Sequence, residues 1–415
     1  MKFVEREIFP ELKDQLNDNK ISLIIGPRQV GKTTLLKKLY SIVENNSLFL
    51  DLDIFSNYEK VSTYDSFINT LKLNGYTKDL DCFYVFLDEF QRYDDFSRIL
   101  KNVYDHHDNI KIFASGSSSI LIKNSVQESL AGRKKMNYLY PFSFKEFLKA
   151  KDSSLIEIYD NVKKIKGSNL KSQLKELYDF LYEFMIFGGY PEVVLSNNIE
   201  EKKSSLNNIF DLYLKKDILD YLDPSKVRPM KDVVEYLAIN NGKKVKYSKI
   251  SNSLNISYRK SKEYVEILNE SYLVSLIRPY FTNKNKELVK LNKCYFLDHG
   301  VRNHFINNFN ELHLRNDSGE LFETFIISEF IKRGYDNLKY WEDKNQNEVD
   351  LIIDLVSKII PIEIKFKDRL RKSDFKGLEK FMFRYNSSGY LINLSKQEFD
   401  DEIKLVLPFS LSIFY

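Results

Sequence analysis

The segment ISLIIGPRQVGKTTLLKKLY, residues 21–40, constrains this chain more tightly than any other. Ile21–Ile25 read as a buried strand, a glycine-punctuated loop follows, and a helix begins near Lys32. Residues 26–33 fit G-x-x-x-x-G-K-[ST]. The two glycines let successive backbone N–H groups turn toward phosphate oxygens. The Lys32 ammonium reaches the outer phosphates, and the Thr33 hydroxyl is offered to Mg²⁺. The helix start adds a dipole that favours an anion. Gly26, Pro27, Arg28, Gln29, Val30, Gly31, Lys32, Thr33 and Thr34 are therefore the expected ATP-binding residues.

Such a site needs an acid at the end of a neighbouring buried strand, and CFYVFLDEFQRY supplies it. Asp88 is expected to hold Mg²⁺ through water, and Glu89 to orient and deprotonate the attacking water. A third strand, IKIFASGSSSI, ends in hydroxyls. Ser115 or Ser117 can sense the γ-phosphate there, or the serines can cap a helix. SLFLDLD is a further strand. Strands alternating with helices predict an α/β fold with a parallel sheet covered on both faces.

At 415 residues the chain is too long for one ordinary core. No apolar run approaches the roughly 18–20 residues of a spanning helix, so no membrane partner is expected. The start, MKFVEREIFP, lacks a signal peptide's apolar core. Two distant cysteines, Cys82 and Cys294, and five scattered histidines give no zinc spacing. A reducing, cytoplasmic location is the expectation. The net charge is only +4, yet residues 226–300 hold 15 Lys and Arg against 7 Asp and Glu. A polyanion such as DNA would bind there.

The motifs GPRQVGKTTLL, FLDEFQ, FASGSSS, LAGRKKMNYLYPFSFKEFL and GGYPEVV occur in order along the chain. Together they resemble a family of prokaryotic P-loop ATPases of the AAA+ type. The C-terminal half of that family is a domain of unknown function with a restriction-endonuclease-like fold. The resemblance implies ATP binding by an AAA+-like core and is compatible with an oligomer. It also implies that Arg133 acts on the γ-phosphate across a boundary, with a loop salt bridge as the other reading. Gly189-Tyr190-Pro191 resembles a turn that touches the nucleotide base, and equally a tight turn opening a helix.

Residues 151–225 read as helices that lid the nucleotide: LKSQLKELYDFLYEFMIF and IFDLYLKKDILDYL carry three- and four-residue apolar spacing. Three short helices and a β-hairpin follow over 226–310, the pattern of a winged helix–turn–helix. Ser257 is expected to cap the third helix. Arg259, Lys260 and Lys262 lie in its first turns, where a recognition helix meets DNA, and Lys284 and Lys286 at the wing tip. The alternative is a module that packs internally and binds no DNA.

Residues 311–415 read as α-β-β-β-α-β, the order of the restriction-endonuclease-like core, and resemble archaeal Holliday-junction resolvases and related nucleases. Glu323 on the first helix, Asp350 on a strand, and Glu363 with Lys365 on the next match that pattern. Residues two apart on a strand face the same way. Asp350 and Glu363 would hold Mg²⁺ or Mn²⁺, Glu323 would complete the metal shell, and Lys365 would orient water or neutralise the transition state. The chain thus reads as an ATPase core (1–150), a helical lid, a winged helix and a nuclease-like domain. Its expected work is ATP-driven action on DNA. The alternative is a nucleotide-controlled switch, binding DNA or a protein, with an inert nuclease fold.

Overall fold

The computed structural model describes residues 3–43, 45–93, 96–117, 129–164, 173–212, 227–355, 358–395 and 402–414. The chain gathers into two compact units. One is built on Met1–Pro141 with two short returns; the other comprises Phe142–Phe210, Leu222–Asn269 and Leu273–Tyr415.

Among the described residues the first unit holds five strands: β1 (Ile21–Gly26), β2 (Ser47–Asp51), β3 (Phe83–Asp88), β4 (Ile110–Ser117) and β5 (Lys134–Tyr138). They lie in the order β2-β3-β4-β1-β5, every pairing parallel. Parallel strands need crossovers, which place helices on both faces, and the inner strands are correspondingly buried along their length. Ile21, Leu23 and Ile25 on β1 join Val85 and Leu87 on β3 in one core. Helices Tyr64–Leu73 and Phe96–His106 bring Phe67, Leu71, Phe96 and Leu100 to that core. Period-two alternation sends Phe86 and Phe113 to the opposite face, where their rings stack 5.4 Å apart.

Among its described residues the second unit is organised around seven strands: β6 (Val274–Pro279), β7 (Lys293–Phe296), β8 (Leu338–Glu342), β9 (Glu348–Asp354), β10 (Ile359–Ile364), β11 (Gly389–Ile392) and β12 (Ile403–Val406). Their order is β12-β11-β10-β9-β8-β6-β7. The β8-β9-β10 meander is antiparallel, while β11 and β12 run parallel to β10. Helix Ser318–Lys332 precedes the meander and helix Lys376–Tyr385 precedes β11. The first of these buries Leu321, Phe322, Phe325, Ile326 and Phe330, the expected apolar face, but also Thr324, Ser328 and Glu329. Glu329 is buried there beside two cations, Arg333 at 3.1 Å and Lys332 at 3.6 Å.

Three helices, Val227–Ile239, Tyr247–Leu254 and Tyr258–Glu270, precede the β6–β7 hairpin. Ser257 Oγ accepts the Lys260 N–H at 3.2 Å, the expected cap. The hairpin departs from a free wing in two ways. β6 pairs in parallel with β8, so both hairpin strands belong to the seven-stranded sheet. The tip is a helix, Lys284–Val289, begun by Asn283, whose side chain accepts the Asn285 N–H. Lys284, though exposed, is ion-paired there: its ammonium lies 3.3 Å from Glu287 and 3.2 Å from Asp354. An acid three residues on in the same helix, and another on β9, claim it. Lys286 stays exposed. The helix expected over 209–222 lies outside the described residues beyond 212.

Candidate functional site

Gly26 ends β1 where the chain passes the backbone of residue 139; a Cβ there would come within 1.9 Å of the Leu139 carbonyl oxygen. Gly31 takes φ +95°, left-handed backbone that suits glycine, and starts helix Lys32–Tyr40. The Lys32 ammonium is buried and curls back on its own loop, donating to the carbonyls of Gly26 at 3.0 Å and Pro27 at 2.8 Å. Val30 is buried, Arg28, Gln29 and Thr33 are half-buried, and Thr34 is exposed. Arg6 braces the loop from outside the motif, donating to the Val30 carbonyl at 2.8 Å and the Tyr140 carbonyl at 2.6 Å. Nothing in its sequence context marks it for that task.

The acids of β3 stand two strands away, with β4 between. Asp88 is buried and accepts from the Ser115 hydroxyl on β4. Glu89, just past the strand, sits at φ +56° and ψ +39°, a conformation rare outside glycine, asparagine and aspartate. Gln91 holds it there: its Nε2 donates to Glu89 Oε2 at 2.5 Å and to Ser117 Oγ at 2.9 Å. Both hydroxyls of β4 thus face the acid pair. Gln91 closes the motif FLDEFQ, two residues after Glu89, and that position is its mark in the sequence. Arg133 makes a two-pronged bond to Asp105, Nε to Oδ1 at 2.6 Å and Nη2 to Oδ2 at 3.0 Å. That partner holds the Asp105 carboxyl below its ordinary range. Within the chain, the salt-bridge reading of Arg133 is the one realised.

The Gly189 turn is tied inside the second unit. The Gly189 N–H donates to Asp298 Oδ2 at 2.7 Å, and its carbonyl accepts from the Phe142 N–H at 2.7 Å. Pro191 opens the helix Pro191–Leu195. Burial pushes the Asp298 carboxyl up, against the pull of the Gly189, Val301 and Gly300 N–H donors.

The charged cluster of the second unit is assembled from distant segments. Asp350 on β9 accepts the Ile364 N–H at 2.8 Å, which pins it to β10. Glu363 and Lys365 project to the same side, two residues apart. The Lys365 ammonium donates to Asp350 Oδ2 at 3.3 Å and contacts Glu363 Oε1. Lys365 is held protonated by these two carboxylates, in spite of its burial. The other Glu363 oxygen, Oε2, is buried with no hydrogen-bond partner. Burial pushes the Glu363 carboxyl well up, and the Asp350 charge adds to that.

Glu323 is placed differently from expectation. It is bound by β7, where Lys293 Nζ stands 3.3 Å from its Oε1 and the Tyr295 hydroxyl donates to the same oxygen. Lys293 also contacts Glu348 at the start of β9. Burial raises the Glu323 carboxyl to about 7, the Lys293 ammonium opposing the rise. Among the described residues no three His, Cys, Asp or Glu side chains are disposed to hold one metal ion. The expected cage of Glu323, Asp350 and Glu363 is thus not formed: a lysine on β7 has claimed Glu323. Asp350 and Glu363 still fit a cation, because they share one ammonium and leave Oε2 of Glu363 unanswered. Lys293 and Tyr295 lie on β7, a strand whose sequence reads as part of a separate wing, and Glu348 opens β9 two residues before Asp350.

Comparison with known proteins matches three stretches of the chain. Residues 18–148 match a family described as an AAA domain. Residues 178–312 and 318–411 match two domains of unknown function, DUF8612 and DUF4143. An uncharacterised protein of Methanocaldococcus jannaschii is 29% identical over 392 residues, spanning 91% of this chain and 81% of its own length. An uncharacterised protein of Haemophilus influenzae is 27% identical over 379 residues, spanning 88% and 87%. Among solved structures, the Walker-type ATPase of Pyrococcus abyssi aligns at a TM-score of 0.45 and 16% identity, covering 73% of this chain and 96% of that one. The first unit carries a nucleotide-binding P-loop ATPase core of the AAA type. Among the described residues no helix is long and apolar enough to cross a membrane.

Proposed function

We propose that this chain hydrolyses ATP at Gly26–Thr34 and acts on DNA, with a metal-dependent phosphodiesterase centre at Asp350, Glu363 and Lys365. In the first unit, Lys32 would move from its own loop carbonyls to the outer phosphates. Thr33 and Asp88 would hold Mg²⁺, and Glu89, steadied by Gln91, would take the proton from water. In the second unit, Asp350 and Glu363 would hold the divalent ion of a restriction-endonuclease-like fold. A cation there supplies Lewis acidity and a more acidic water. Lys365 would stabilise the charge growing on the phosphate. The helices over 227–270 would meet DNA, with exposed Arg259, Lys260 and Lys262 on phosphates.

The observation that carries the phosphodiesterase reading is the shared ammonium between two buried carboxylates, with Glu363 Oε2 left unpartnered. The test is cleavage of linear, branched and single-stranded DNA by the purified chain with Mn²⁺. Cleavage should appear in the wild type and disappear in Asp350→Asn, a change that keeps the side chain's shape. A wild type inert on all three substrates sinks the reading. A second reading, a nucleotide-controlled switch with an inert nuclease fold, is favoured by one fact: Lys293 and Lys365 between them already bind all four carboxylates.

A further inference from the structure

Two lysines stand among the four acids of the second unit, and they are not equivalent. Lys365 belongs to the strand that carries Glu363. Lys293 arrives from β7 at the far edge of the sheet, with its side chain 6% exposed, and bridges Glu323 and Glu348. Tyr295 projects to the same side of β7 and fixes the same oxygen of Glu323. The field of Asp350 reaches both Glu323 and Lys293, so the two acid pairs form one electrostatic group. Two ammonium groups thus serve four carboxyl groups, which leaves room in the cluster for a further cation. The unpartnered Oε2 of Glu363 marks the end of the group where that cation would sit.

We infer that Lys293 is a positioning residue of the centre: a built-in cation that occupies the Glu323–Glu348 end and restricts the site to a single divalent ion between Asp350 and Glu363. This rests on the metal-centre reading above. Its physical basis is that a buried carboxylate pair needs a counter-charge, and a tethered ammonium supplies one with no ion taken from solution. Without the Lys293 ammonium, Glu323 and Glu348 would recruit a second ion instead.

The experiment is Mn²⁺ binding to the full chain without nucleotide, above pH 7, followed by electron paramagnetic resonance and by thermal melting. The wild type should take up one ion, and Asp350→Ala should lose it. Lys293→Met should take up two and melt at a lower temperature in chelator, with the difference narrowing as Mn²⁺ is added. Lys293→Arg, which keeps the charge, should return to one. If folded Lys293→Met still binds one ion, the role of Lys293 is overturned while the metal centre stands. If Lys293→Met does not fold, the wild-type stoichiometry decides, and two ions in the wild type overturn the inference. If neither the wild type nor Lys293→Met binds Mn²⁺, the metal-centre reading itself fails.

Discussion

The two charged centres of this chain solve opposite problems. The P-loop is a contiguous segment whose buried Lys32 donates to two carbonyls of its own loop. Those two bonds are ones it can give up to an anion. The carboxylate group of the second unit is drawn from β7, β9, β10 and helix Ser318–Lys332, and its cations are bonded to charged partners. A cation on carbonyls can leave cheaply; one between two carboxylates cannot. The first site should therefore respond to substitution through binding and rate, and the second through stability as well.

The largest expected effect is on turnover. Glu89→Gln should keep ATP bound and slow hydrolysis roughly 10²- to 10⁴-fold, the range for removing a positioned general base. Its melting temperature should hardly move, since Glu89 is only half-buried. Normal steady-state hydrolysis in this variant would remove Glu89 from the mechanism.

Lys365→Ala should show the contrast. It leaves Asp350 and Glu363 facing each other without a counter-charge, a loss of about 3–5 kcal/mol for a broken buried pair. Urea unfolding should register that loss, and added Mn²⁺ should recover part of it. An unchanged midpoint would mean the two carboxylates do not feel one another. Lys32→Ala should weaken ATP binding by roughly 150-fold, the equivalent of a charged hydrogen bond of about 3 kcal/mol, with little change in unfolding of the second unit. Equilibrium binding of a fluorescent ATP analogue measures it.

The smallest effect expected is a pH dependence confined to the second unit. His299 is buried between Phe184 and Phe325, its Nε2 meeting the Leu321 carbonyl at 3.1 Å. Burial, with Lys332, Arg302 and Arg315 nearby, pushes the imidazole down to about 3 from an ordinary 6.5. A depressed folded value means the stabilisation is complete above about 6.5 and is lost as pH falls from there toward about 3. The slope is about 1.4 kcal/mol per pH unit. His299→Gln should flatten the dependence of the unfolding midpoint between about pH 6.5 and 5. The same slope in both proteins would place the acid sensitivity elsewhere.

The same contrast explains what could be read from the sequence. The P-loop, Asp88 and Glu89 were legible because their chemistry is written in consecutive residues on a strand, a turn and a helix. Asp350, Glu363 and Lys365 were legible from strand periodicity on one antiparallel pair. Glu323 was placed on the correct helix, yet its partner was not, because Lys293 lies 30 residues before it, on a strand with no local mark of membership. The hairpin misled for the same reason. Its alternation is compatible with a free wing, and only the β6–β8 pairing places it in the larger sheet. Arg6 acts through backbone carbonyls of other segments, contacts that leave no pattern in a linear sequence, whereas Gln91 sits two residues from the Glu89 it holds.

The decisive measurement follows two activities in three proteins: ATP hydrolysis and Mn²⁺-dependent DNA cleavage, in the wild type, Lys32→Ala and Asp350→Asn. With cleavage assayed without nucleotide, each variant should lose one activity and keep the other. Lys32→Ala should hydrolyse no ATP and still cut DNA, and Asp350→Asn should do the reverse. Cleavage by Asp350→Asn at the wild-type rate, or its absence from the wild type while ATP hydrolysis persists, would contradict a second, metal-dependent centre in the C-terminal unit.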